Sequence, residues 1–311
     1  MYKFVIKRLL ITIPTLFAVM IIAFTILNFL PGDPGRIILG IEATPEAVAM
    51  FNAEFGLDQP FATRLASFMR DVLTEFDFGV SFRTRQPVIG EIMSRLPITA
   101  RIASLSVIIA VLIGVPLGVA AAVKRSTITD ATLTVIAMLL TAIPGFVFGL
   151  VLIYVFALQL GWFPTFGDRT WLHFVLPVST MGLLGAGSYI RFTRVLMLET
   201  VNQEYIKTAR AKGAAEPRVI WKHAFKNACL PLINMVLLSF SGLLGGAIIT
   251  ETIFSINGVG LHILAAVRNR DLPVVTAGTI VLSAFFLIIV LVIDLLYAFI
   301  DPKIRAKFSS S

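Results

Sequence analysis

Charge is scarce in this chain. Only 14% of its 311 residues are Asp, Glu, Lys or Arg, against about 25% in soluble domains. Hydrophobic residues make up 57%, which excludes an ordinary soluble globular protein. There is one cysteine, Cys229, so no internal disulfide or thiolate metal cluster can form. His173, His223 and His262 lie far apart, and no pair has ligand spacing on a helix. No HExxH, no G-x-x-x-x-G-K-[ST] and no Ser/His/Asp set sharing a loop occurs. Gly242–Gly246 is followed by Ala-Ile-Ile inside an apolar run, where it cannot cradle phosphate. Catalytic and metal-ligating residues are therefore expected to be none, with no cofactor in this chain. Any uphill work must draw on another subunit.

What fills the chain is long apolar runs. Leu9–Leu30 is 22 residues, about 33 Å as a helix, enough for a hydrocarbon core of about 30 Å. It exceeds a signal-peptide core, and no small-residue cleavage site follows, so it reads as a first span that stays. Pro31-Gly-Asp-Pro34 stops that helix. Residues 31–101 are amphiphilic: Thr44-Pro45 has the form of a helix start. Phe61, Leu65, Phe68, Val72 and Phe76 share one helical face, and Val88–Leu96 gives a second, shorter helix. Further spans are expected over 102–123, over 133–160 with a kink at Pro144-Gly145, and over 172–190, 232–249 and 274–300. Gly114-x-x-x-Gly118 around Pro116 suits close helix packing or a flexing helix that lines a path. Ser241, Gly245 and Glu251 in and beyond the fifth span are candidates for the same path, with capping or packing the alternative for Glu251.

The expected fold is all-α, a polytopic membrane protein of six transmembrane helices. Its parts are 1–30 (N-terminus and first span), 31–101 (external segment) and 102–311 (a five-span core). Placing both termini in the cytoplasm puts 16 of the 26 basic residues but 5 of the 18 acids on that side. The basic residues sit at the ends of apolar runs, where anionic head groups meet them. No basic stripe is interleaved with stacking aromatics, so nucleic acid is not an expected partner.

The most cationic stretch is the loop 191–231. Arg191, Arg194, Lys207, Arg210, Lys212, Arg218, Lys222 and Lys226 face three acids, Glu199, Glu204 and Glu216. Tyr205–Lys212 reads as a short helix capped by Gly213, and Arg218–Cys229 as a second that returns the chain to Leu230-Pro231. Thr208, Ala209, Ala211 and Gly213 would let a partner approach closely. Arg210 and Lys212 are placed to pair with acids on it.

Lys207-Thr-Ala-Arg-Ala-Lys-Gly213 with Leu230-Pro231 resembles the EAA loop of membrane subunits of bacterial ATP-binding-cassette (ABC) importers. The likeness is closest to the dipeptide/oligopeptide/nickel permease family, glutathione-type members included. It runs through Leu30-Pro-Gly-Asp-Pro34, Phe55-Gly-Leu-Asp-Gln-Pro60, Phe78-Gly-Val-Ser81, Gly245 to Gly260 and Asp301-Pro-Lys-Ile-Arg305. Lys207 stands where the general motif has Glu, and the gap to Leu230-Pro231 is long; both features are similar in the peptide branch. Asn257 replaces the usual proline.

The resemblance implies a type I importer-like permease of the inner membrane. It would work with a second permease subunit, two cytoplasmic ATPase subunits that hold ATP and Mg, and a periplasmic solute-binding protein. It also implies that Lys207, Thr208, Ala209, Arg210, Ala211, Lys212, Gly213, Leu230 and Pro231 contact the ATPase. The expected function is import of a peptide-like solute. The alternative is a self-sufficient secondary carrier or channel, which would need charged or unwound midspan segments and internal repeats.

Overall fold

The computed structural model describes residues 2–29, 32–40 and 42–300, with side chains excepted at 2–5, 7, 230, 237, 238, 241, 244–246 and 293–300. In chain order the helices are α1 (Tyr2–Asn28), α2 (Pro34–Leu39), α3 (Pro45–Glu54), α4 (Phe61–Glu75), α5 (Val88–Val123), α6 (Ile128–Ala142) and α7 (Gly145–Leu152). After a π-helical turn at Ile153–Gln159 come α8 (Leu172–Val201), α9 (Glu204–Ala211) and α10 (Glu216–Arg218). A second π-helical turn, Val219–Phe225, leads into α11 (Lys226–Ile253), followed by α12 (Val259–Arg268) and α13 (Leu272–Ile300). Among the described residues the only β-type pairing is one isolated bridge, Val80 to Pro87. The chain is all-α.

Three described helical stretches are long and apolar enough to cross a membrane: Arg8–Asn28, Val88–Val123 and Leu272–Val292. Ile128–Ala142 and Gly145–Gln159 pass the same test only as a pair, bent by 99°. The expected kink is thus a corner. Pro144 lacks an N–H and excludes the helical conformation before it, so Ile143 is extended (φ −74, ψ 126). The other two expected spans fall in α8 and α11, with 30 and 28 residues. Both exceed the ~20 residues that a crossing needs.

Two compact units make up the chain. One comprises Tyr2–Thr99 and Asn257–Ile288. The first span and the external segment share this unit with α12 and the start of α13. Asp33 caps α2, accepting from Gly35 N (2.9 Å) and Arg36 N (3.3 Å), with Pro34 in the first turn. Thr44 Oγ1 caps α3 through Ala47 N (3.2 Å). Phe82 packs edge-on against Phe51 and Phe55, and the Arg85 guanidinium lies over the Phe55 ring (4.6 Å). Buried Asp271 accepts from Ser81 Oγ (2.5 Å) and Phe82 N (3.1 Å), which pins the 78–87 turn. The two helical pieces expected on either side of Pro97 are one 36-residue helix, α5. Pro97 is carried inside the helix, and Val88, Ile92, Ile102 and Ala103 on either side of it are all fully buried.

The other unit comprises Ala100–Ile256 and, among the described residues, 289–300. Helix α8 is its axis. A Cβ on Gly114 would lie 2.7 Å from Ala186 O, and one on Gly118 2.7 Å from Ile190 O. On another face, a Cβ on Gly187 would meet Ala137 O at 2.9 Å. Small residues thus bring α5 and α6 against the backbone of α8.

Candidate functional site: a buttressed loop and a groove

The loop after α8 is a folded knob. Ile206 on α9 is fully buried, in a cluster with Val119 and Ala122 of α5, Met197 of α8, Val219 and Ala224 of the π-helical turn, and Ala228 of α11. Asn227 Nδ2 donates to the Tyr205 hydroxyl (3.1 Å) and to His223 O (2.8 Å), tying α9 to the returning helix. Arg210 donates to Glu216 through Nε (3.1 Å) and Nη2 (2.7 Å), and Lys207 pairs with Glu204 (2.7 Å). The Glu216 carboxyl is held below its usual range by this guanidinium. Arg210 is thus engaged with Glu216 within the knob, in a pair that stays exposed.

Thr208, Ala211, Lys212 and Gly213 are exposed, and Ala209 is half-buried. One apolar side of α9 is anchored, and a low-relief side faces outward. Gly213 ends the helix: at φ +77 its N–H donates to Arg210 O (2.9 Å), a conformation that costs any other residue about 1 kcal/mol or more. No atom lies within 4 Å of where its Cβ would be, so its demand is conformational.

The second helical stretch does not end at Leu230-Pro231. Glu216 to Ile253 is helical throughout, with the π-helical turn at its start and Pro231 inside α11. Burial of Ala228 and Leu232 on either side outweighs the one backbone bond that proline forgoes. The side chains of Leu230, Ser241, Gly245 and Asp294 lie outside the described residues, as does the tail from Asp301.

Beside the knob, Asp130 at the start of α6 joins Arg194 on α8. The guanidinium donates through Nε (2.5 Å) and Nη2 (2.8 Å), and Ser126 N donates to the same carboxylate (3.1 Å). Asp130 is buried. Its partner holds its pKa down to about 2. The 124–127 turn, with Ser126 at φ +62, is thereby fixed to α8.

A mostly apolar groove, dotted with a few hydroxyl and amide side chains, runs along the same unit. A cavity of about 220 Å³ is lined by Ser106, Gly185, Ser188, Tyr189, Ser239 and Gly242, among others. A second, of about 560 Å³, shares Ser188 and Ser239 and extends to Asn234 and Pro231. The Tyr189 hydroxyl donates to Ser239 Oγ (3.0 Å), which donates to Met235 O (2.9 Å). Gly114 and Gly118 instead lie in the α5–α8 contact, and Pro116 is exposed on another side of α5. Glu251 is fully buried near the end of α11, its carbonyl accepting from Ile256 N (2.9 Å). The groove residues were legible only as hydroxyl and amide side chains within apolar runs, a weak signal among many serines.

Two family descriptions cover the chain. Residues 114–306 match "Binding-protein-dependent transport system inner membrane component", and residues 1–103 match the N-terminal part of such components. The chain belongs to that family. Glutathione transport system permease proteins GsiC of Escherichia coli K12 and Salmonella typhi are each 40% identical over 307 residues, covering 99% of this chain and 100% of theirs. Among solved structures, an inward-facing MetNI methionine ABC transporter matches at TM-score 0.56 and 18% identity, over 68% of this chain and 97% of that one. An amino acid ABC transporter with histidines matches at TM-score 0.50 and 19% identity, over 69% of this chain and 94% of that one. These two likenesses concern the fold. The chain is accordingly a multi-pass inner-membrane permease subunit of an ABC importer.

Proposed function

We propose that this permease carries a peptide-like solute inward and takes its driving force from a separate cytoplasmic ATPase, through the knob. The observation that carries the reading is the two-sided α9: Ile206 is locked into the helical core, while the small-residue side of Lys207–Gly213 is open. A groove on a nucleotide-binding partner can seat against such a surface. Motion of that partner would pass to α5, α8 and α11 through the Ile206 cluster, because packed helices move as units. Leu230 and Pro231 belong to the returning helix that braces this contact. ATP and Mg reside in the partner ATPases and none in this chain.

In this reading both termini and the 191–231 loop are cytoplasmic, and the short basic loops support that orientation. A second permease subunit completes the path, and the Ser106–Asn234 groove is this chain's wall of it. A periplasmic binding protein delivers the solute. Full-length likeness to permeases named for glutathione transport supports a solute with peptide bonds and free termini. Dipeptides, oligopeptides and glutathione share that chemistry.

The test replaces Ala211 with Trp, on the exposed side, in the complete transporter reconstituted with its binding protein. Uptake and solute-stimulated ATP hydrolysis should both fall at least tenfold, with assembly of the membrane pair unchanged. A cysteine placed at Thr208 should cross-link to the ATPase subunit. Normal uptake by Ala211→Trp, or a cross-link only to periplasmic protein, sinks the reading. Transport by the permease alone, down an ion gradient, would favour a secondary carrier.

A further inference from the structure

The unit containing α1 and α4 encloses a cavity of about 370 Å³ that the transport reading does not use. It lies between the end of α1, helix α4, the 77–82 turn and the start of α13. Its size falls within the range of small-molecule sites, about 300–1,000 Å³. Its chemistry is sorted along α4. At one place is Arg64, half-buried, whose Nη2 donates to Asn28 Oδ1. That partner is neutral, and burial pushes the guanidinium pKa down; a neighbouring carboxylate would push it up. Asn28 Oδ1 is the one acceptor this guanidinium has among the described residues, the side chain lines the cavity, and its planar fork fits a carboxylate.

Seven residues further on is Asp71, on the same side of α4 and lining the same cavity, with exposed Asp77 beside it. Asp71 also pairs with the outward Arg70 (2.9 Å), whose side chain is 71% exposed. Arg70 Nε and Nη2 both donate to Asp71 Oδ1, an exposed and weak pairing, so Oδ2 is the oxygen turned to a ligand. Between the charges are aromatic walls: Phe24 stacks on Phe68 (4.9 Å), which meets Phe78 (6.4 Å).

We propose that this cavity binds a short zwitterionic peptide, its terminal carboxylate on Arg64 and its terminal ammonium on Asp71 with Asp77. The spacing selects the length. Residues seven apart on a helix are separated by about 10.5 Å. An extended chain covers about 3.3–3.6 Å per residue, so two or three residues bridge the charges and a single amino acid does not. The site rests on the reading above that the solute is peptide-like, and it adds a second place on the permease itself for that solute class. In the proposed orientation it opens on the periplasmic side, where solute leaves the binding protein.

The experiment measures binding of tritiated trialanine, and separately glutathione, to the complete transporter in phosphatidylcholine nanodiscs without its binding protein. Saturable binding is expected, weakened at least tenfold by Arg64→Gln and by Asp71→Asn, and partly kept by Arg64→Lys. On unaltered protein, amidating the C-terminus or acetylating the N-terminus of trialanine should weaken binding to a similar degree. That arm needs no variant to fold. No saturable binding, equal binding of capped and free peptide, or indifference to Arg64→Gln overturns the proposal. Loss of peptide binding on changing the lipid to phosphatidylethanolamine, whose head group carries the same two charges, also overturns it by making lipid the occupant. Uptake with the binding protein present separates the two readings. Trialanine uptake without an Arg64-dependent site sinks this inference alone, whereas no uptake of any peptide-like solute sinks the transport reading.

Discussion

Replacing Asp130 with Asn tests whether the knob's neighbouring ion pair holds α6 to α8. The carboxylate has 8% of its side chain exposed and accepts two donors from Arg194, whose side chain is 27% exposed. Folding depresses the Asp130 pKa from 3.8 to about 2. At about 1.36 kcal/mol per unit, that difference corresponds to roughly 2.5 kcal/mol. Breaking one partner out of a fully buried pair costs about 3–5 kcal/mol; Arg194 can still reach water, so the lower figure fits. Asp130→Asn keeps the shape and the acceptor for Ser126 N but removes the charge. We expect a loss of about 2–3 kcal/mol in thermal unfolding of the detergent-solubilised protein at pH 7.

Adding Arg194→Gln should cost little more, because the first change has already removed the pairing, and the cycle should return a coupling of about 2 kcal/mol. The pH dependence follows in sign. A carboxylate with a depressed pKa stabilises the fold fully above 3.8, and this contribution disappears as pH falls towards 2. Asp130→Asn should flatten that part of the acid profile. A change below 0.5 kcal/mol at pH 7, or additive single losses, would refute the argument.

Other expectations follow from packing and protonation. Gly118→Leu places a Cβ 2.6 Å from Thr193 Cβ and 2.7 Å from Ile190 O. It should destabilise by at least the ~1–3 kcal/mol of overpacking. Gly90→Ala, in the same helix with open space around the new methyl, should instead stabilise by up to about 1 kcal/mol, and melting temperatures of the two variants decide. Burial and then nearby Arg95 lower the His262 pKa from 6.5, with Glu91 opposing at 2.9 Å. The folded state therefore binds fewer protons there than the unfolded one, and stability should fall as pH drops below 6.5. His262→Gln should remove that slope in melting measured from pH 7.5 to 5. Gly213→Val should strain the φ +77 turn and disturb the knob at a cost of about 1–2 kcal/mol, lowering solute-stimulated ATP hydrolysis more than thermal stability.

Residue content and short-range patterns were enough to establish a membrane setting and the class of machine. Scarce charge, long apolar runs and the Lys207–Gly213 pattern are local properties, and each keeps its meaning whatever surrounds it. Caps were legible for the same reason: Thr44-Pro45 and Gly213 act on backbone within a few residues of themselves. Tertiary structure decided the rest. Periodicity does not say whether Gly114 and Gly118 face a pore or a neighbouring helix; the nearness of Ala186 and Ile190 carbonyls does. Proline rules gave a kink at Pro144 but not a 99° corner, and they suggested an end at Pro231 where burial of its neighbours carries the helix through. Asp130 and Arg194 lie 64 residues apart, a separation that no helical period encodes. Their pairing, like the juxtaposition of Arg64 with Asn28, exists only once distant helices have packed.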